Sequence, residues 1–378
     1  MFKTKAKSKP LPDLEKLNWL RLFRTENVGP ITFYKLIDRY GSAGQALEAL
    51  PELAAKGGRK KPLIAPRISD IESEYEALRQ FGGDIITASC AEYPELLKHC
   101  DDAPPVLSYM GDLSLLSKSC VAIVGARNAS LNGRKMTENL AGQLGTKHQV
   151  VVSGLARGID TAAHKGALAN GTIAVVAGGL NVLYPQENTQ LFHDICEQGL
   201  ILAESPFGTS PQARHFPKRN RIVSGLSRAT IVVEATQRSG SLITARLAGE
   251  QGRDVMAVPG SPLDPRAQGP NHLIREGATL VRDANDVLEI LMQFSGVGFR
   301  EPLHSSNTFE HEPPANEDVP MDAKDDVLEQ LSFTPVSVDE LLRACHMSIS
   351  VLQSILLELE LAGRVKRLSG NRVCLLEE

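Results

Sequence analysis

Glycine and arginine residues occur together at two points in the middle of the sequence. Arg127 follows Gly125 by two positions, and Arg157 directly precedes Gly158. Glycine lets a ligand approach the backbone, and a guanidinium group binds phosphate with paired hydrogen bonds. The spacing matches neither the GxxxxGK[ST] loop of nucleotide hydrolases nor the GxGxxG fingerprint of dinucleotide-binding proteins. Both segments therefore predict a phosphate-binding site that is neither of these nucleotide-binding motifs. The alternative is that both arginines pair with local carboxylates such as Asp160.

The strongest concentration of positive charge lies in residues 205–233. Within this segment, the rings of His215 and Phe216 are interleaved with fixed charges. Aromatic rings stack with unpaired bases, and cations bind the nucleic-acid backbone. This composition therefore predicts binding of single-stranded nucleic acid, to which Asn220 and Ser224 would add hydrogen bonds. A solvated basic helix face is the alternative interpretation. The segment contains no acidic residue, and its basic residues are Arg214, Lys218, Arg219, Arg221 and Arg228.

A third candidate phosphate-binding loop follows Glu234. Ser239, Gly240 and Ser241 stand where a predicted strand passes into a helix, and a helix N-terminus attracts anions. The Glu234 carboxylate is either catalytic or, as we expect, a structural cap. The sequence has no HExxH or other metal-ligand spacing and no GxSxG nucleophile motif. We therefore expect no metal, no cofactor and no catalytic residue.

These segments are positioned by a predicted α/β domain at residues 119–293. Short β-branched runs alternate there with helical patterns, and continuous apolar runs are typical of parallel strands buried on both faces. In such open sheets, ligands bind beyond the carboxyl ends of the strands, which is where the glycines and arginines occur. The fold class is therefore α/β with a Rossmann-like parallel sheet. The predicted strands are 121–124, 150–152, 173–176, 200–202, 231–233 and 255–258.

Two shorter segments precede this domain. Residues 1–80 have apolar residues at helical spacing, which predicts a helical domain. Its turn at 27–30 resembles that of a helix-hairpin-helix, which binds phosphate, but a small helical packing module is the favoured interpretation. Residues 81–118 are expected to form a connector with strand character at 84–87 and 106–109.

A linker and a winged helix are predicted at the carboxyl-terminal end. Residues 294–322 are expected to form an acidic, proline-containing linker, and residues 323–378 show three helices followed by a hairpin. The latter module has six Lys and Arg against nine Asp and Glu, and its predicted recognition helix at 348–362 has two glutamates and no basic residue. Because groove binding requires phosphate neutralisation, we expect this module to dock protein.

The composition is that of an ordinary globular protein. Of the 378 residues, 42% are hydrophobic and 23% charged, and the net charge is −4. No apolar run reaches the roughly 18 residues of a membrane span, and no signal sequence follows the basic amino terminus. The six cysteines include no CxxC pair. We therefore expect reduced thiols, a cytoplasmic location and no membrane association.

Taken together, these motifs resemble the DNA-processing protein A (DprA, or Smf) family of bacterial natural transformation. The resemblance implies a homodimer that binds single-stranded DNA without cutting it, protects incoming DNA and helps to load the recombinase RecA. It also implies a helical, SAM-like domain before the core and a winged helix after it. The matching segments are Tyr93-Pro94, 122–127, 153–160, Ala163-His164, Tyr184-Pro185, 216–221, Glu234-Ala235, 239–245 and 258–260.

The resemblance also assigns roles to individual residues. Self-association is carried over to His272, Leu273 and Ile274, for which an ordinary amphipathic helix end is the alternative. The implied DNA contacts are Arg127, Ser153, Gly154, Arg157, Lys218, Arg219, Asn220 and Arg221, supported by the phosphate loops at Gly125, Gly158, Ser239, Gly240 and Ser241.

Two other functions remain open. The first is an enzyme that binds nucleotides or hydrolyses nucleoside monophosphates, as in the wider Rossmann-like group, with Glu234 and the loop at 239–241 in its site. The PGGxGT run of that group is missing from this sequence. The second is a regulator of duplex DNA acting through its winged helix, which the acidity of that module disfavours.

Overall fold

The computed structural model describes residue 11 and residues 13–59, 61–296, 323–368 and 370–376. The described chain divides into two compact units. The first begins at Ser73 and continues through the α/β core, and the second combines residues 11–72 with the carboxyl-terminal module. From residue 297 onwards, the predicted linker lies outside the described residues.

A nine-stranded sheet forms the centre of the first unit. Its spatial order is β1-β2-β6-β5-β4-β3-β7-β8-β9, with parallel pairing from β6 to β9. All six strands predicted from the apolar runs are present, so the α/β class and the Rossmann-like core are confirmed. The strands are β1 (Asp84–Thr87), β2 (Val106–Gly111), β3 (Cys120–Val124), β4 (Val150–Ser153), β5 (Thr172–Val176), β6 (Leu200–Ala203), β7 (Ala229–Val232), β8 (Asp254–Ala257) and β9 (Thr279–Leu280).

The segment expected to be a connector extends the core sheet. Its strand character is present in β1 and β2, which pair antiparallel with each other. Strand β2 also pairs antiparallel with β6, with Ser108 opposite Ala203. The sheet is therefore mixed at this edge. Local patterns cannot show this, because the pairing joins residues that are far apart in the sequence.

Helices surround the sheet and build the second unit. One face of the sheet is covered by α6, α7 and α12, where Val121, Ile123, Leu140 and Val287 are buried together. The helices are α1 (Asp13–Phe23), α2 (Pro30–Tyr40), α3 (Ala43–Lys56), α4 (Ile68–Gln80), α5 (Glu95–Lys98), α6 (Leu131–Thr146), α7 (Ile159–Ala167), α8 (Thr189–Gln198), α9 (His215–Gly225), α10 (Gly240–Glu250), α11 (Gln268–Arg275), α12 (Ala284–Gly296), α13 (Ala323–Glu329), α14 (Val338–Cys345) and α15 (Ile349–Leu361).

The second unit contains a helical module and a winged helix. In the helical module, Trp19 of α1 and Phe33 of α2 pack edge to face with ring centroids 5.0 Å apart. In the winged helix, α13 to α15 precede a hairpin of β11 (Val365–Leu368) and β12 (Arg372–Leu375), and β10 (Val336–Ser337) pairs with β12. The predicted order of three helices and a hairpin is present.

Among the described residues, no single helix is both long and apolar enough to cross a membrane. Helices α14 and α15 reach the required hydropathy only when taken together, and the chain bends by 115° between them.

The order of the strands reverses at β3. From β3 the chain proceeds outwards through β4, β5 and β6 on one side, and later through β7, β8 and β9 on the other. In open α/β sheets, such a reversal leaves a crevice beyond the carboxyl ends of the two adjacent strands. Here the crevice lies between the segments that begin at Gly125 and at Val233.

Candidate nucleic-acid interface

Two neighbouring cavities open at the carboxyl edge of the sheet. The first cavity has a volume of about 380 Å³ and is lined by residues 154–157, by Tyr184 and by Gly178. The second cavity has a volume of about 530 Å³ and lies at the crevice between β3 and β7, where residues 239–241 line it. Both cavities share one wall, formed by Arg127, Asn128, Ala156 and Phe216.

The shared wall combines a cation with aromatic rings. The Arg127 guanidinium lies 4.8 Å from the centroid of the Phe216 ring. Tyr184 meets the same ring edge to face at 6.0 Å and is 50% exposed. A guanidinium over an aromatic face is electrostatically favourable, and exposed rings next to cations are the groups on which unpaired bases stack. This wall has the chemistry of a single-strand binding surface.

The N-terminus of α10 supplies an anion-binding group to the second cavity. The Ser239 hydroxyl caps this helix by accepting from the Ser241 backbone N–H at 3.4 Å. Between them, Gly240 has no described atom within 4 Å of the position that a Cβ would take, so a ligand can approach its backbone. Arg266, which sequence reasoning missed, also lines this cavity and pairs with Asp264 at 3.0 Å. The cavity therefore favours a phosphate or another anion.

Arg219 lies in the inner part of the second cavity and is only 7% exposed. Its Nη1 donates to the Val175 carbonyl at 3.3 Å and lies 3.9 Å from Asp160 Oδ2. Its Nε has no hydrogen-bond partner among the described residues. Burial lowers the pKa of Arg219, the Asp160 carboxylate opposes this shift, and the positive charge of Arg127 adds to it. An anion in the cavity would also oppose this shift.

Asp160 organises the loop between β4 and α7. Its carboxylate accepts from the backbone N–H groups of Gly154 and Ala156, at 3.2 and 3.3 Å. Burial raises the pKa of Asp160, whereas Arg219 and the two N–H groups oppose that shift. A Cβ on Gly154 would lie 1.1 Å from Arg219 Nη1, so this glycine leaves room for the guanidinium group in its present position. The predicted alternative, pairing of Arg127 and Arg157 with local carboxylates, describes Arg157, which pairs with Glu187 at 2.5 Å. Asp160 itself pairs with Arg219.

Four of the residues predicted to contact DNA are buried: Ser153, Gly154, Arg219 and Arg221. Arg221 is 8% exposed, ion-paired with Glu204 and hydrogen-bonded to the Asp102 carbonyl. Ser153 is fully buried and donates its hydroxyl to the Ile123 carbonyl at 2.6 Å. The polar groups of both side chains are engaged inside the protein, so both predictions are corrected. Sequence composition could not reveal this, because it does not distinguish the buried side of α9 from the exposed one.

The remaining predicted contacts differ in how accessible they are. Lys218 is exposed on α9, and Arg127 is exposed at the shared wall. Arg157 is exposed as well, but its Nη2 lies 2.5 Å from Glu187. Asn220 is half-buried and donates to the Gly240 carbonyl at 3.4 Å, which connects α9 to the α10 loop. Arg127 is therefore exposed and lines both cavities, whereas Lys218 is exposed and lines neither of them.

Two of the predicted phosphate-loop glycines serve close packing of the loops. Gly158 has φ +75°, and a Cβ there would lie 2.2 Å from the Ala126 carbonyl oxygen. A Cβ on Gly125 would lie 2.6 Å from the Ile159 side chain. These glycines let the loops after β3 and β4 approach each other, and Gly125 also lines the second cavity.

The Glu234 carboxylate is hydrogen-bonded to Ser130 at the start of α6. It accepts from the Ser130 backbone N–H at 2.8 Å and from the Ser130 hydroxyl at 2.6 Å. A Cβ on Gly133 would lie 2.5 Å from that carboxylate, so the site is tightly packed. Glu234 thus caps the start of α6 and lines neither of the two cavities.

Models of known protein families match three parts of this chain. The family model of DNA recombination-mediator protein A matches residues 84–292. A DprA-like N-terminal HHH domain matches residues 13–77, and a DprA winged helix domain matches residues 311–371. The chain belongs to the DprA/Smf family.

Individual DprA/Smf relatives are similar over most of their length. The chain is 46% identical to DNA processing protein DprA of Bacillus subtilis over 230 residues, covering 60% of this chain and 77% of that protein. It is 32% identical to Protein Smf of Synechocystis over 393 residues, covering 95% of this chain and 98% of that protein.

Two solved DprA structures are similar as well. The X-ray structure of DprA from Streptococcus pneumoniae matches with a TM-score of 0.64 at 38% identity, covering 74% of this chain and 98% of that one. A structure of DprA from Helicobacter pylori, described for its single-stranded DNA binding mode, matches with a TM-score of 0.52 at 29% identity, covering 56% of this chain and 96% of that one.

Proposed function

We propose that this chain is a non-catalytic protein that binds single-stranded DNA, protects incoming DNA and helps to load RecA during natural transformation. The observation that carries this proposal is the shared wall, where the Arg127 guanidinium lies over Phe216 beside the exposed Tyr184. It presents stacking surfaces and a cation at the mouths of two cavities. The H. pylori relative, which is described as binding single-stranded DNA, supports the same ligand.

The proposed strand crosses the shared wall between the two cavities. A phosphate enters the second cavity, where the α10 N-terminus, Arg127 and the unpartnered Nε of Arg219 supply positive charge. The adjoining base stacks against Tyr184 or Phe216 at the first cavity. Duplex DNA is disfavoured because its bases are already stacked on one another and unavailable to these rings. Few of these groups read base edges, so binding should depend weakly on sequence.

Fluorescence anisotropy of a labelled oligonucleotide of about 30 nucleotides, single-stranded or duplex, tests the proposal at two salt concentrations. We expect tight, salt-sensitive binding to the single strand and much weaker binding to the duplex. A matched control is Arg246→Ala on α10, which removes an exposed cation that pairs with Glu250 and lies in neither cavity lining. Equal loss of affinity in Arg246→Ala and Arg127→Ala would contradict a localised site.

Dimerisation and RecA loading complete the proposal. Helix α11 carries the self-association candidates, with His272 exposed and Leu273 and Ile274 half-buried. We propose that this surface forms the homodimer, and we expect Leu273→Asp to shift the sedimentation of the protein towards the monomer. RecA loading is tested by adding the protein to RecA and single-stranded DNA, where faster filament formation is expected. An unchanged rate would contradict this role.

The proposal also predicts no turnover. Incubation with nucleoside monophosphates should release no free base, because Glu234 is engaged by Ser130 and lies outside both cavities. Saturable release that disappears in Glu234→Gln would contradict the proposal and support the nucleotide-enzyme alternative.

A further inference from the structure

We infer that the winged helix uses its recognition helix, α15, to dock on the helical module of the same chain, and that α15 therefore binds no duplex DNA. The occupant of this surface is the segment from Asn27 to Gly57. Both modules belong to one compact unit of the chain.

Helix α15 is buried on two sides. Leu352, Ile355 and Leu359 lie in the hydrophobic core of the winged helix itself. Leu357 and Leu361 are outside that core cluster, yet they are 3% and 0% exposed. Residues four apart in a helix lie on the same face, so these two leucines mark a second buried stripe. A winged helix that reads DNA needs this side of the helix free for the groove.

The helical module occupies the second stripe through backbone and side-chain contacts. Gly57, at the end of α3, lies so close to α15 that a Cβ there would be 2.0 Å from the Glu358 carbonyl oxygen. Asn27 Nδ2 donates to the Leu361 carbonyl at 3.4 Å, and Lys35 of α2 donates to the side chain of Gln353. The turn at 27–30, for which a packing module was the favoured interpretation and phosphate binding the other, provides a contact to α15 through Asn27.

The glutamates of α15 also face inwards. Glu358 is 4% exposed and pairs with Lys324 at 2.6 Å, and Lys324 in turn donates to the Lys56 carbonyl of α3. Glu360 pairs with Arg367 at 3.3 Å. Lys324 and Arg367 both belong to the winged helix, so these carboxylates are paired within their own module. Duplex DNA in place of α3 would bring phosphates close to both carboxylates, which is electrostatically unfavourable. The acidity of the recognition helix is therefore explained by internal pairing.

A steric probe at Gly57 tests the docking. Gly57 has φ −71°, so alanine is compatible with its backbone, and the three atoms nearest to its methyl group would belong to Glu358 of α15 and to Ala362, which follows that helix. The matched control is Gly44→Ala in the same helix, where the nearest atom would be 3.4 Å away. Hydrogen exchange of the full chain is measured by mass spectrometry for both variants.

We expect Gly57→Ala to accelerate exchange about tenfold or more in both α3 and α15, with the sheet strands unchanged and Gly44→Ala close to the parent protein. Parent-like protection of α15 in Gly57→Ala would overturn the inference. So would faster exchange confined to α3, because that would show a local effect on this helix.

A second arm adds a duplex oligonucleotide to the parent protein. We expect the protection of α3 and α15 to remain unchanged, since the docked surface excludes DNA. If duplex protected α15 and exposed α3, DNA would be displacing the helical module and the inference would be wrong. Neither arm depends on single-strand binding, so the two proposals fail independently.

Discussion

The two arginines Arg127 and Arg221, both predicted to contact DNA, should behave in opposite ways when replaced by alanine. Arg127 is exposed at the shared wall, whereas Arg221 is 8% exposed and pairs with Glu204. Arg127→Ala should leave stability nearly unchanged and weaken single-strand binding by about 1.5 kcal/mol, roughly tenfold, for all sequences alike. The log–log salt dependence should lose about 0.7 of its slope, the value of one neutralised phosphate.

Arg221→Ala should act on folding. Removing the guanidinium leaves the Glu204 carboxylate half-buried without this partner, and breaking such buried pairs typically costs about 3–5 kcal/mol. For a unit of this size, that corresponds to a loss of roughly 10 °C in Tm. Where the variant is folded, its salt slope should equal that of the parent.

The assays are anisotropy titrations at several salt concentrations and thermal unfolding followed by circular dichroism. The reasoning would be refuted if Arg221→Ala kept the parent Tm and lost salt slope as Arg127→Ala does. Such a result would mean that Arg221 is available to the DNA backbone and not committed to the core.

Three further predictions concern the same unit. Burial lowers the pKa of His164 to about 3, so the unfolded state binds more protons below pH 6.5 and stability falls as the pH decreases towards 3. At pH 4.5 the free energy of unfolding should be about 3 kcal/mol lower than at pH 7. In His164→Gln, urea unfolding should show a smaller decrease over the same pH range. An equal decrease in the variant and the parent would contradict a buried, neutral imidazole at His164. Gly158→Ala should lower both Tm and single-strand affinity, because a Cβ would lie 2.2 Å from the Ala126 carbonyl oxygen. An unchanged Tm and an unchanged affinity would show that the loops after β3 and β4 can separate without cost. Phe216→Ala should cost about 1–3 kcal/mol of single-strand binding with little change in salt slope, and a large change in slope would indicate that the ring acts through Arg127.

The continuous apolar runs were sufficient to predict the six central strands and the α/β class. A strand buried on both faces must be apolar throughout, so the pattern is carried by the strand's own residues. The glycine and arginine segments were likewise placed at the correct edge, because parallel strands bring their carboxyl ends together. The three helices and hairpin of the winged helix were read from local periodicity in the same way.

Tertiary structure alone decided which polar residues remain accessible. Lys218, Arg219 and Arg221 are neighbours in sequence, yet only Lys218 is exposed, because the orientation of α9 directs the other two towards Asp160 and Glu204. The same applies to Glu234, whose partner Ser130 is distant in the chain.

Long-range pairing also decided the edges of the fold. Strand β2 joins β6, and α15 docks on α3, through contacts between residues far apart in the sequence. Residue type and periodicity report the environment that a side chain requires, buried or exposed. They do not report which distant element provides it, since that choice depends on how all the elements pack at once.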